Sequence, residues 1–233
     1  MTHTGDTLRR SLRALDADAV DRLPGNCADC VFWELGARCP APRTASIPGW
    51  VRIPPPHQAR AHKRDWVAQQ HHETGAPGTV IEVDDEVVGY ALYAPASTFA
   101  RPGTTVPRAS PDALLLATVW VASTERELGI GRRLIRSALE DAIRLDLQAV
   151  EAYGDRRFLE RSCLLPASWL LHAGFVVSRE HPRTPLFRLD VRRAVRWLGS
   201  LEHAWEQVLG HLPRPAPARE PASPVVRSDV QPR

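Results

Sequence analysis

Apolar positions recur along this chain with two different periods, and the period names the element. Leu114-Leu115-Leu116-Ala117-Thr118-Val119-Trp120-Val121 is an almost unbroken apolar run, the pattern of a strand buried on both faces. After a break at Ala122–Glu125, Ile130, Leu134, Ala138, Ala142 and Leu145 recur at spacings of three and four, while Arg132, Arg136 and Glu140 line another face. That spacing predicts an amphipathic helix. Upstream, Thr79–Val83 and Val87–Tyr93 flank Asp84-Asp85-Glu86 and predict a hairpin. Downstream, Gln148–Tyr153, Phe175–Val177 and Leu186–Asp190 read as strands, and Leu164–Ala173 reads as a helix.

The first 77 residues are less regular. Leu8, Leu12, Leu15, Val20 and Leu23 fit a short helix over residues 5–23, and Val31–Leu35 reads as a strand. The stretch from Arg38 to Pro56 is proline-rich and irregular; His57–Thr74 suits a helix that stops at Gly75. Ala94 to Asp112 holds four prolines and reads as a loop. A C-terminal helix is expected over Val191–Leu212, with Val195, Leu198, Leu201 and Trp205 as its stripe. From Pro213 prolines recur and apolar residues thin, which predicts a disordered tail. Strands alternating with helices around a hairpin give a mixed α/β fold. The expected organisation is an N-terminal part (1–77), a core (78–192), a helix (193–212) and a tail (213–233).

Composition narrows the function only a little. The chain has 233 residues, is 43% hydrophobic and 24% charged, and carries a formal charge of +3. These are ordinary values for a globular protein. No basic run interleaved with aromatics suggests nucleic acid. No apolar run approaches the ~20 residues of a membrane helix, and the polar N-terminus lacks a signal-like apolar stretch; a cytoplasmic protein is expected. Lys63 is the sole lysine among many arginines, which codon usage explains as well as function does.

The chemistry concentrates between the apolar strand and its helix. Arg126-Glu127-Leu128-Gly129-Ile130-Gly131-Arg132 stands at the turn. Two glycines two apart let backbone approach a ligand, and a helix start offers unpaired N–H groups with the positive end of the dipole behind them. Such a site suits a phosphate or pyrophosphate. Glycines between a strand and a helix are also plain loop punctuation. Walker A is excluded because Arg132 follows the second glycine; the dinucleotide fingerprint is excluded because Leu134 stands at its third glycine.

The pattern Arg126-x-x-Gly129-x-Gly131 after a strand resembles the GNAT N-acetyltransferase superfamily, and Ala173-Gly174-Phe175 is similar to that family's Leu-Gly-Phe. Arg179–Asp190 resembles the final hairpin of one bacterial subgroup. The resemblance implies a mixed, mostly antiparallel sheet, splayed between its fourth and fifth strands to admit acetyl-CoA. It implies acetyl transfer to an amine acceptor, a small molecule or a protein amine. It assigns the pantetheine arm to Val119, Trp120 and Val121. It assigns the pyrophosphate to Glu127, Leu128, Gly129, Ile130, Gly131 and Arg132, with Arg126 opening the loop. Two positions depart from it: Cys163 stands where many members have a CoA-contacting Asn, and Leu170 where many have a Tyr acid.

Proton-transfer candidates are Glu151 and Tyr153, with Asp155 and Glu82 behind them, and Cys163 as a weak donor beside the leaving sulfur. His172 is too far along the same helix to activate Cys163 directly. His181 and Arg183 fall in the hairpin that borders the amine site in the family. Cys27-x-x-Cys30 with Cys39 reads as reduced structural cysteines, and a redox pair or a zinc site completed by His57 or Cys163 are the other readings. The rivals to catalysis are therefore a non-catalytic acyl-CoA sensor and a zinc-stabilised interaction protein; no metal is assigned.

Overall fold

Eight strands make one sheet, in the order β1-β2-β3-β4-β5-β8-β7, with β6 beside the end of β5. The computed structural model describes residues 10–36, 56–100, 107–157 and 163–194. The strands are β1 (Arg10–Ala14), β2 (Gly78–Val83), β3 (Glu86–Pro95), β4 (Ala113–Val121), β5 (Ala149–Asp155), β6 (Leu165–Pro166), β7 (Val176–Arg179) and β8 (Leu186–Asp190). The helices are α1 (Ala17–Arg22), α2 (Phe32–Leu35), α3 (Pro56–Glu73), α4 (Ile130–Arg144) and α5 (Ala167–His172). Only β4–β5 and β5–β6 pair in parallel; the other pairs are antiparallel. This is the expected mixed α/β fold.

Side chains alternate across the sheet and define two covered faces. On one face, Val80, Tyr90, Leu92, Leu115, Ala117, Tyr153 and Leu186 join a core with Leu15, Val20 and Leu23 from the α1 segment and Trp66 and Val67 from α3. On the other lies α4, whose buried stripe Ile130, Leu134, Ala138 and Ala142 follows the predicted period, with Leu145 half-buried beyond it. There Thr79 Oγ1 donates to Ser137 Oγ at 2.9 Å and Tyr93 Oη donates to Asp141 at 2.8 Å, tying strand to helix. Asp84 and Asp85 both have positive φ, which turns the predicted hairpin between β2 and β3.

Two N-terminal expectations are corrected. The expected helix over 5–23 is a strand followed by a helix: β1 pairs along β2, from Arg10 opposite Val83 to Ala14 opposite Thr79. Asp16 then caps α1 by accepting from Ala19 N at 2.7 Å, so the helix starts only there. The expected strand Val31–Leu35 is instead the one-turn helix α2, closed by Gly36 in the left-handed region. With β1 occupying the sheet edge beside β2, this segment serves the face, and a helical turn puts Trp33 into the core. The C-terminal helix begins at 191–194; its remainder, the tail from 213, residues 37–55 with Cys39, and 101–106 lie outside the described residues.

Candidate active site

Strand β4 leaves its neighbour half-way along. It pairs with β5 only from Ala113 opposite Ala149 to Leu115 opposite Glu151, although it continues to Val121 and β5 to Asp155. A register shift in β3–β4, where Leu92 faces Thr118 but Tyr93 faces Leu116, leaves Ala117 as the bulged residue. A bulge bends and twists its strand, and this one sits two residues past the last β4–β5 pair. Beyond it the side chains go from buried to half-exposed at Val119, Trp120 and Val121, in the middle of the sheet. This is the expected splay. Past Leu115 and Glu151 the two strands run on unpaired with each other, β4 to Val121 and β5 to Asp155.

The turn that follows β4 delivers the chain to the mouth of this opening. Glu127 (φ 71°) and Gly129 (φ 80°) alternate into the left-handed region, and Gly129 is the N-cap of α4 with no side-chain capping bond. The 15-residue helix thus presents its N-terminal backbone and the positive end of its dipole without an internal anion. A Cβ at Gly129 would meet nothing within 4 Å, so open space lies in front of this turn. Gly131 differs, since a Cβ there would come within 3.2 Å of Trp169 on α5. Its smallness serves helix–helix approach. Gly89 does the same for β3, where a Cβ would press to 2.6 Å on Ile130.

The expected proton-transfer groups are mostly engaged. Glu151 is fully buried; it accepts from Ser110 N at 2.7 Å and Ser110 Oγ at 2.9 Å and pairs with Arg188 at 3.2 Å. Tyr153 donates its hydroxyl to Pro107 O at 2.6 Å, accepts from Ala109 N, and stacks on Trp33. Glu82 is buried between Arg22 and Arg13; burial pushes its carboxyl up, but the hydrogen bonds and charges of the two guanidiniums outweigh that and hold it below the usual range. Cys163 is disulfide-bonded, so it carries no thiol proton to donate, and Leu170 is wholly buried. Asp155, on the same face of β5, is buried, accepts from Arg157 N at 2.9 Å and has no ion pair among the described residues. Nδ1 of His181 caps its own hairpin, accepting from Thr184 N at 2.9 Å.

A family model described as Acetyltransferase (GNAT) family matches residues 45–163, which is half the chain and includes the splay and the turn. The chain belongs to the GNAT acetyltransferase family. Among solved structures it is similar to an N-acetyltransferase from Staphylococcus aureus Mu50 (14% identity, 78% of this chain and 99% of that one, TM-score 0.48). It is also similar to YncA from Salmonella typhimurium with its cofactor acetyl-CoA (16% identity, 78% and 94%, TM-score 0.46). A third is the PaiA N-acetyltransferase from Thermoplasma acidophilum in complex with coenzyme A (9% identity, 78% and 99%, TM-score 0.48). No curated protein sequence matches the chain.

Around this GNAT centre the structure adds residues that sequence reasoning passed over. The segment Pro24–Leu35 lies across the face where β4 and β5 part. Tyr90 Oη donates to Pro24 O at 3.2 Å, and Tyr90 stacks on Trp120. A Cβ on Gly25 would come within 2.7 Å of the Trp120 ring. On the β5 side, Trp33 stacks on Tyr153 with centroids 5.6 Å apart and donates its Nε1–H to Cys163 O at 3.1 Å. The cover therefore touches both banks of the opening. The sequence signal is the density of Cys, Phe and Trp between Cys27 and Trp33, although Val31–Leu35 by itself has the pattern of a strand. No helix among the described residues is long and apolar enough to cross a membrane, and no group of three or more His, Cys, Asp or Glu among them could hold a metal ion.

Proposed function

We propose that this protein transfers the acetyl group of acetyl-CoA to a primary amine by direct attack of the amine on the thioester, in the cytoplasm. Acetyl-CoA is the co-substrate. The observation that carries the reading is the opening between β4 and β5 ending at an uncapped helix start with open space before it. In this reading the pyrophosphate lies over Glu127–Arg132, with Arg126 beside it. Its charge is met by backbone N–H groups and the helix dipole rather than by a lysine. The pantetheine arm runs along Val119, Trp120 and Val121 as an added strand, using backbone that β5 no longer occupies. A β4 N–H then faces the thioester oxygen as charge develops on it.

Chemistry needs a deprotonated amine and a protonated leaving thiolate. Glu151 and Tyr153 are held in structural bonds and act by shaping the β5 bank. We assign the amine proton to Asp155, at the end of β5 beyond its last pair with β4, directly or through one water. The thiolate takes its proton from solvent, because neither Cys163 in its disulfide nor Leu170 has one to give. Positioning of the two reactants supplies much of the remaining acceleration. The acceptor enters beneath the aromatic cover of Trp33, Tyr90 and Trp120.

Calorimetric titration with acetyl-CoA, followed by thiol release against a panel of amines, tests the proposal. Saturable binding with amine-dependent release is expected, and Asp155→Asn should lower kcat while leaving acetyl-CoA affinity in place. Absence of binding would overturn it; binding with no turnover on any amine would leave a CoA-binding module in place of an enzyme.

A further inference from the structure

The loop between β7 and β8, residues 180–185, is tied to the end of β5 on both sides of Asp155. Gly154 N donates to Pro185 O at 3.0 Å, and Arg156 N donates to Arg183 O at 3.1 Å. The Arg156 guanidinium donates to Glu180 at 2.6 Å. These bonds bracket Asp155 on one strand and Thr184 on the other. Trp33 of the cover stacks on Tyr153, two residues before Asp155. When an acceptor brings its amine to Asp155, the group it carries beside that amine meets this loop.

Two features of the loop favour an anion. The first is His181, which is half-buried. Its Nδ1 accepts from Thr184 N at 2.9 Å and from Arg183 N at 3.3 Å, and Thr184 Oγ1 lies 2.9 Å from it. A backbone N–H can only donate, so Nδ1 is the lone-pair nitrogen and the ring carries its N–H at Nε2. That N–H has no partner among the described residues. The ring borders a surface hollow of about 260 Å³, lined by Glu180, His181 and Pro182. His181 is thus a fixed hydrogen-bond donor, and with Nδ1 engaged it has no lone pair left to act as a base.

The second feature is charge. Arg156, Arg157 and Arg183 stand here against Glu180 and the buried Asp155. Arg156 is spent on Glu180, whereas Arg157 and Arg183 are exposed and pair with no carboxylate among the described residues. Arg157 is anchored beside Asp155 by its own backbone N–H, which donates to that carboxylate at 2.9 Å. A guanidinium offers paired N–H donors that match a carboxylate. A second ammonium, as in a diamine, would meet like charge.

We propose that the acceptor is a small amine that also carries a carboxylate, held by Arg183 and by the Nε2–H of His181, with Arg157 adding to the attraction. This deepens the acetyl-transfer reading and rests on it. The carboxylate takes no part in the bond changes. The amine nitrogen bonds the acetyl carbon, the C–S bond breaks with its electron pair on sulfur, and the amine proton passes to Asp155.

The test uses the full-length protein with saturating acetyl-CoA and amines in matched pairs, each amino acid beside its carboxamide. Acetylated product is measured by mass spectrometry, and kcat/KM is corrected for the fraction of free amine, since the members of a pair differ in basicity. The carboxylate member should be preferred by about tenfold or more at low ionic strength, and the preference should shrink several-fold at about 0.5 M salt, which screens exposed charges. Arg183→Gln should reduce the preference about three- to tenfold. His181→Asp keeps an acceptor for Thr184 N, so the hairpin persists, but it replaces the N–H with a negative charge and should remove the preference. Calorimetric affinity for acetyl-CoA separates acceptor from cofactor. Three results would overturn the inference and leave acetyl transfer standing: turnover with no preference for the carboxylate, a preference that survives both variants, or an acetyl-CoA affinity that falls in Arg183→Gln as far as the preference does. Absence of turnover on every amine would overturn both.

Discussion

Two segments border the opening in the sheet, and they are built in opposite ways. Residues 114–145, the strand, turn and helix that we propose as the CoA bank, are locally consistent: an apolar run, a glycine turn and a clean helical stripe. Residues 10–36, which end in the cover, hold a five-residue strand, a six-residue helix and a single turn. Helices so short are not stable alone. What holds the cover is contact with distant sequence. Leu15 N donates to Gly78 O at 2.9 Å, Arg60 binds the carbonyls of Val20 and Asp21, and Trp33 packs among Phe32, Phe99 and Tyr153. A cofactor that is the same from enzyme to enzyme can be met by a local motif. The cover, which we propose shapes the acceptor side, is assembled from many places.

If the cover depends on those distant contacts, Trp33→Ala should cost about 3–5 kcal/mol, because it empties the junction of three rings. Glu151→Ala should cost less, about 2–3 kcal/mol, by leaving two Ser110 donors without their acceptor while Arg188 keeps Asp112. Chemical denaturation measures both. A loss under 1 kcal/mol in Trp33→Ala would mean the cover is only draped on the sheet.

The CoA bank should fail differently. Gly129→Glu sends a like-charged side chain into the open space before α4, and acetyl-CoA affinity should drop about 100-fold, or ~2.7 kcal/mol. Gly129→Ala, which only strains a left-handed residue, should lose about 1–2 kcal/mol of stability and keep most of its affinity. Calorimetry on the two variants separates charge from strain; equal affinity in Gly129→Glu and the parent would remove the pyrophosphate from this turn.

A smaller effect concerns pH. Glu82 joins the cover's edge to the sheet through Arg13 and Arg22, and its carboxyl lies below the usual range despite burial. A carboxyl depressed in the folded state adds stability above its unfolded pKa of ~4.3 and loses it as pH falls through the folded value. Asp112, held down by its hydrogen bonds from Arg188, acts in the same direction. Stability should therefore decline from about pH 5 downward. Glu82→Gln should cost about 1.5–3 kcal/mol at neutral pH and flatten that decline. Urea midpoints at pH 7, 4 and 3 would show it. Smallest of all, removing residues 213–233 should leave the melting temperature within about 1 °C, since a proline-rich segment this poor in apolar residues buries little.

Legibility followed the same division. The hairpin, β4, the turn, α4, β5 and the last two strands all fall within a residue or two of the positions their hydrophobic period predicts, while the helix expected over Leu164–Ala173 starts three residues late, at Ala167, because Leu165–Pro166 pair beside β5 as β6. The glycine turn at the head of α4, which we propose holds the pyrophosphate, could be read because its glycines and the strand before it are contiguous. The bonds of Glu151 and Tyr153 could not. Their partners Ser110, Arg188, Pro107 and Trp33 are 37 to 120 residues away, and a carboxylate looks the same in a sequence whether it is buried in bonds or waiting for a proton. The first strand was lost because five residues beside a helix-like leucine spacing carry too weak a period, and β2 decides their pairing.

By itself the sequence determined the elements of the sheet's centre, the glycine turn at the head of α4 and the family these imply, because periodicity and backbone freedom act between near neighbours. Tertiary structure alone decided where β4 parts from β5, which carboxylates are engaged, and that a cysteine near the N-terminus meets one 133 residues later. Pairing of this kind depends on which surfaces are already packed together, and no local pattern carries that information.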